Sequence, residues 1–126
     1  MKLASLKGPG RDGKVHLQLE CHVNGQRLGD PNAGVDATFS LHDLIAHAAR
    51  TRDLPAGTMI GTGTISNRDP ATGYACLMEK RLVEQVEQGE AKTPFLKFGD
   101  RVRIEMRDAK GASVFGAIDH LVERYA

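Results

Sequence analysis

From residue 14 to 23 the chain reads KVHLQLECHV, with strict alternation of polar and apolar positions. That period of two predicts a half-buried strand with Val15, Leu17, Leu19, Cys21 and Val23 inward. Asn24-Gly25 follows, and both residues tolerate the positive φ of a two-residue hairpin turn, so residues 26–28 are expected to pair back. Residues 29–34, rich in Asp, Pro, Asn and Gly, read as a loop. Ser40 then caps a helix in which Leu41, Leu44, Ile45 and Ala48 make one apolar stripe, with Asp43 favouring its positive end. Pro55 disfavours helical geometry before it, so the helix is expected to fray over residues 50–53.

The second half is expected to be mostly strand. Residues 58–64 form a small-residue strand after the Pro55-Ala56-Gly57 turn, and residues 74–83 form another after the polar loop 66–73. Residues 84–92 are charged and read as a solvated excursion. The period of two returns over residues 101–107, with Val102, Ile104 and Met106 inward, and a turn at 108–111 leads into a strand at 112–118. Residues 2–6 predict a short first strand, and residues 119–126 a final helical turn or two. Many short strands with one convincing helix predict an α+β domain: a β-rich rolled mixed sheet with one main helix. With no repeat and no linker composition, residues 1–126 read as a single domain, with 1–13 as an N-terminal segment and 14–126 as its body.

Composition narrows the function. The 126 residues are 40% hydrophobic and 26% charged, values typical of an ordinary globular protein. Seventeen basic against sixteen acidic residues give a net charge of +1, and with no Trp there is no stacking platform. Nucleic acid is therefore not an expected partner. No apolar run approaches the roughly 20 residues that span a bilayer, and the N-terminus lacks the apolar region of a secretory signal, so a cytoplasmic protein without a membrane partner is expected. Cys21 and Cys76 lie in no metal-binding spacing and read as free thiols.

Several candidate chemistries fail on spacing. Gly8-Pro9-Gly10-Arg11-Asp12-Gly13 has the letters of a dinucleotide fingerprint, but a strand pattern, not a helix, follows it. His42 and His47 lie five apart on different helix faces, and His16, His22 and His120 have no evident partners. No metal-ligand set is found, and GxSxG is absent. Glu79 interrupts the apolar run Ala75-Cys76-Leu77-Met78. A carboxylate there is costly unless paired, and such groups are often functional; strand alternation that turns Glu79 outward explains it equally simply. Thr62 and Thr64, set between glycines, offer hydroxyls and amides to an anion, or else mark a strand packed too tightly for larger side chains.

Longer motifs carry a family resemblance. Residues 61–67, GTGTISN, residues 73–79, GYACLME, residues 93–96, TPFL, residues 98–105, FGDRVRIE, and Gly116-Ala117-Ile118 resemble, in order and spacing, the C-terminal part of the bacterial fumarylacetoacetate hydrolase family. Residues 23–26 and 36–39 resemble its hairpin and helix-entry signatures, with Ala37 where a methionine is usual. The resemblance covers nearly everything from Lys14 onward. It implies part of the fumarylacetoacetase C-terminal fold and metal-dependent hydrolysis of carbon–carbon bonds in 1,3-dicarbonyl, acylpyruvate-like acids, as in aromatic amino acid catabolism. It further implies magnesium or calcium as cofactor, a His–Glu pair that activates water, and a small dicarbonyl acid as substrate. Thr64, with Gly63 beside it, matches the residue that touches the substrate carboxylate, and Glu79 matches the glutamate that supports the catalytic histidine.

The same resemblance shows what is missing. The family's metal ligands include a Glu-x-Glu pair, whereas Glu84, Glu87 and Glu90 here are three apart. Its catalytic histidine and lysine belong to the same absent region. Residues 1–13 resemble the beginning of full-length bacterial members, so the chain reads as a member with its middle removed, not expected to bind the cation alone. The alternatives are a non-catalytic remnant that binds a small carboxylate or forms a homo-oligomer, complementation by a chain that carries the missing wall, and a related reaction such as decarboxylation of a 2-oxo acid.

Overall fold

Four strands form one antiparallel sheet in the order β2-β1-β3-β4: β1 (Leu19–Val23), β2 (Gln26–Gly29), β3 (Arg101–Arg107) and β4 (Ser113–Leu121). This is a computed structural model, and it describes residues 12–125. The strand expected over residues 2–6, and all of the glycine-rich string but Asp12 and Gly13, lie outside that range.

Two local devices fix the sheet. Asn24 turns the β1–β2 hairpin at φ 52°. Its side chain then reaches across to β3, donating to Asp100 Oδ1 at 2.8 Å and accepting from the Arg101 amide at 2.9 Å. The hairpin turn is thus tied to a strand that begins more than seventy residues later.

Strand register sorts the side chains into two faces. Cys21 pairs with Ile104, which pairs with Ile118, and Leu19 pairs with Met106, so this face is apolar. On the other face Glu20 stands opposite Glu105, and His22 opposite Arg103, which pairs with Asp119. Like charges placed directly opposite repel. Arg107 removes the conflict by bridging both acids, 3.6 Å from Glu20 and 2.6 Å from Glu105. Arg103 adds a 2.5 Å bond to Glu105 and a 3.1 Å bond to Asp119, which also holds Arg101 at 2.6 Å. Glu105 is only 5% exposed, and these two guanidinium partners are what make a buried carboxylate tolerable.

The α+β class is as expected, but several elements differ. The strand expected from residue 14 begins only at Leu19, because Leu17 and Leu19 bond instead to Ala33 and Pro31 of the following loop. The sheet is wholly antiparallel, and there are two main helices, α1 (Leu41–Ala49) and α2 (Leu77–Gln88), besides a short 3-10 turn at Pro70–Thr72. The run expected as a strand over 74–83 and an excursion over 84–92 is instead mostly α2. Its residues are strong helix formers, and Gly89 ends it at φ 82° with its amide on the Gln85 carbonyl. Residues 58–64 pair with no strand among the described residues, and β4 runs on to Leu121 where helical turns were expected. The α1 helix follows its sequence signals: Ser40 and Asp43 complete a reciprocal capping box.

Cover over the apolar face is thin. Cys21, at 3% exposed, is the one side chain of the sheet's apolar face that is buried, with Pro31 buried in the loop beyond β2, and neither helix buries a side chain fully. Among the described residues no helix is long and apolar enough to cross a membrane, and Cys21 and Cys76 are free thiols.

The arginine ladder makes stability depend on acid. Arg103 foremost holds the Glu105 carboxyl below the usual 4.5, and Arg101 foremost holds Asp119 below 3.8. Folded-state values below unfolded ones give stability that is present above pH 4.5 and lost as pH falls through the folded values. Urea midpoints measured from pH 7 down to pH 3 are expected to fall below pH 4.5. Glu105→Gln is expected to start lower at pH 7 and to flatten that acid limb.

Candidate functional site

The segment of residues 61–66 runs beside the apolar face without joining it, and side-chain bonds hold it there. Asn67 clamps the loop before α1: its Oδ1 accepts from the Asn32 amide at 2.6 Å and its Nδ2 donates to the Asn32 carbonyl at 3.0 Å. The Arg68 amide donates to Asp36 at 3.0 Å. Between this segment, α1 and the sheet lies a cavity of about 660 Å³, within the range of small-molecule sites.

Most of its wall is apolar, including Val15, Phe39, Leu44, Met106 and Phe115. The polar part comes from Lys14, Asn32, Asp36, Thr62, Thr64 and Ser66. Thr64 and Gly63 therefore both line the cavity. A Cβ on Gly61 or Gly63 would meet nothing within 4 Å, so tight packing does not explain these glycines. Their open side leaves room for a ligand to approach the backbone.

Glu79 stands in the first turn of α2, not in a strand, and it does not itself line the cavity. Ser66, which does, donates to Glu79 Oε1 at 2.5 Å. Glu79 Oε2 is buried with no hydrogen-bond partner, the one such side-chain oxygen among the described residues. Neither simple expectation holds: the carboxylate is not turned out to water, and it is only half satisfied. The helix that carries it is anchored at its far side, where Glu84 accepts the Lys92 and Thr93 amides at 2.8 Å each and Arg81 lies 4.3 Å over the Phe95 ring.

Two residues of this site were not singled out in the sequence. Asn67 is a plain loop residue until its amide clamp is seen. Lys14 sits at the start of an expected strand, yet it lines the cavity, and its ammonium donates to the Ala37 carbonyl, also of that wall, at 2.6 Å. An ammonium has three donors, so two remain for a ligand. The histidines stay apart from this chemistry: His16 bonds Asp12 at 2.6 Å, and His22 faces Arg103 across the sheet.

These features meet a family already defined by sequence. The chain belongs to the fumarylacetoacetate hydrolase family: the family model described as fumarylacetoacetate (FAA) hydrolase C-terminal matches residues 5–122. A search of the curated proteins gives no match.

A hard divalent cation takes about six to eight oxygen ligands, several of them carboxylates. Asp36 is the one carboxylate in the cavity wall, and it is engaged by Arg68. Among the described residues no three His, Cys, Asp or Glu side chains are grouped to hold a metal. The donor set of this cavity therefore does not fit the family's cation.

The Ser66–Glu79 bond supplies the carboxylate with its sole partner. Ser66→Ala is expected to lower stability by about 1 kcal/mol, as for a bond to a charged group lost at a partly exposed position. Urea denaturation checks it, and Ser66→Thr, which keeps the hydroxyl, is expected to recover most of the loss.

Proposed function

We propose that this chain binds a small carboxylate-bearing ligand of the dicarbonyl-acid type, without carrying out the family's hydrolysis by itself. The observation that carries this reading is the cavity wall, where Thr64 and Lys14 line a largely apolar space. The ligand's carboxylate would take hydrogen bonds from the Thr64 hydroxyl and the open glycine backbone and charge from Lys14, while its acyl end would lie on Val15, Leu44 and Met106. Charge-assisted bonds of this kind are about twice as strong as neutral ones.

Hydrolysis needs a Lewis acid to polarise the two ketone oxygens and a base to take a proton from water. The cavity supplies neither a fitting donor set nor a histidine on Glu79. This is consistent with a family member whose middle portion has been lost. A second reading has one observation in its favour. Glu79 Oε2 is buried and unpartnered, as expected of a carboxylate whose N–H donor comes from a separate polypeptide bearing the missing wall. On that reading the chain is one part of a two-chain hydrolase.

Calorimetric titration with acetopyruvate tests the first reading. Binding without added metal is expected, with Thr64→Val and Lys14→Met each weakening it by on the order of tenfold, equal to about 1.4 kcal/mol. No heat at millimolar ligand would overturn it. Loss of the enol absorbance in the presence of magnesium, abolished by Glu79→Gln, would show instead that the chain hydrolyses alone.

A further inference from the structure

The cavity wall divides by chemistry along the fold. The residues that α1, β3 and β4 contribute to it are Leu41, Leu44, Met106 and Phe115, and all four are apolar. Its polar side chains come from chain outside those elements, and two of them carry charge, Lys14 and Asp36. Asp36 accepts from the Arg68 amide at 3.0 Å and lies 3.9 Å from the Arg68 guanidinium, so its charge is already engaged. Lys14 is the one cation among the lining residues described.

The space also exceeds what a minimal acid fills. Acetopyruvate has nine non-hydrogen atoms, and at about 30 Å³ each, the share of a water molecule in the liquid, it takes up about 270 Å³. More than half of the cavity of about 660 Å³ would stay empty around it. Each methylene added to such a ligand gains about two- to fourfold in affinity, according to how fully the wall covers it.

We infer that this site selects monocarboxylic acids with an apolar tail longer than acetyl, and rejects acids whose tail ends in a second carboxylate. The inference rests on the carboxylate binding proposed above and adds its specificity. Lys14 and Thr64 take the one carboxylate, while Leu41, Leu44, Met106 and Phe115 sort the tail. A charge moved from water to an apolar wall is costly unless it is paired. With Lys14 occupied, a second carboxylate would find apolar side chains and the like charge of Asp36.

Metal-free calorimetry with three acids tests this: acetopyruvate, isohexanoylpyruvate and succinylpyruvate. The succinyl tail has nearly the shape of the isohexanoyl tail but ends in a carboxylate. Isohexanoylpyruvate is expected to bind at least tenfold more tightly than acetopyruvate, and succinylpyruvate no more tightly than acetopyruvate. Phe115→Arg puts a cation into the apolar wall at a side chain that is about half exposed, and is expected to reverse the order of the two longer acids. If circular dichroism shows that this variant does not fold, Leu44→Ala decides, with a several-fold loss of the isohexanoyl advantage expected. Equal binding of the two longer acids would overturn the inference. So would an isohexanoyl tail that adds nothing to the affinity of acetopyruvate, or an order that folded Phe115→Arg leaves unchanged. In those three cases carboxylate binding itself stands. Absence of binding by all three acids at millimolar concentration would overturn both readings.

Discussion

The apolar face of the sheet has more surface than the rest of the chain covers. Leu19, Cys21, Val102, Ile104 and Met106 present a continuous apolar layer, and of these only Cys21 is fully buried. Burial of apolar area contributes roughly 25 cal/mol per Å², so each half-covered side chain forfeits part of its contribution. The cavity and the open β4 edge both follow from that shortage. The cavity is the volume between α1 and the sheet that no side chain fills, and Ile118 marks where the same layer runs out toward the edge. A ligand in the cavity would cover surface that folding alone leaves wet.

With little packing available, directional polar contacts hold the geometry. Asn24 fixes the hairpin to β3, Asn67 fixes the Gly-Thr segment to Asn32, and Glu84 fixes α2 to the 92–93 turn. Each contact replaces a strand pairing or a packed side chain with two or more hydrogen bonds from one polar group. Glu105 is the extreme case, a buried charge that holds because Arg103 and Arg107 both reach it. Glu79 is the exception to the scheme. It has one partner for two oxygens, and a buried polar atom left unpaired costs about 1–3 kcal/mol.

Elements whose signals are local were legible in the sequence. The Asn24-Gly25 turn, the Ser40–Asp43 box and the alternation from Arg101 to Arg107 each specify structure within a few residues, and each is found, whereas the alternation over residues 14–23 gives a strand only from Leu19 on. The α2 helix was misread because Tyr74-Ala75-Cys76-Leu77-Met78 is a continuous apolar run, in which a period of two and a period of 3.6 cannot be separated. Its N-terminus also gives no warning, since Cys76 makes no side-chain cap. The signal that was present lay at the other end, in Gly89 after a run of helix formers. Residues 58–64 failed as a strand for a nonlocal reason: their composition permits extension, but among the described residues no strand pairs with them. Lys14 and Asn67 were invisible because their roles consist wholly of contacts across the fold.

Family and chemistry separate along the same line. Residues that shape the backbone, such as Asn24 at φ 52° and Gly73 at φ 66°, lie within the region that the family model matches. Chemistry needs donors brought together from distant segments, and the loss of any one segment removes it without altering the rest. Thr64 and Lys14 line one cavity, with the Asn67 clamp holding the Gly-Thr segment to Asn32, so the carboxylate recognition proposed above would draw on residues already brought together. Glu79 differs, since its unpaired oxygen has no use in recognition and a plain cost in stability. Its orphaned position follows if α2 formed against a wall whose N–H donor belonged elsewhere. The proposed binding therefore draws on residues that line one cavity, whereas the family's hydrolysis would need a donor that the described residues do not bring to Glu79 Oε2.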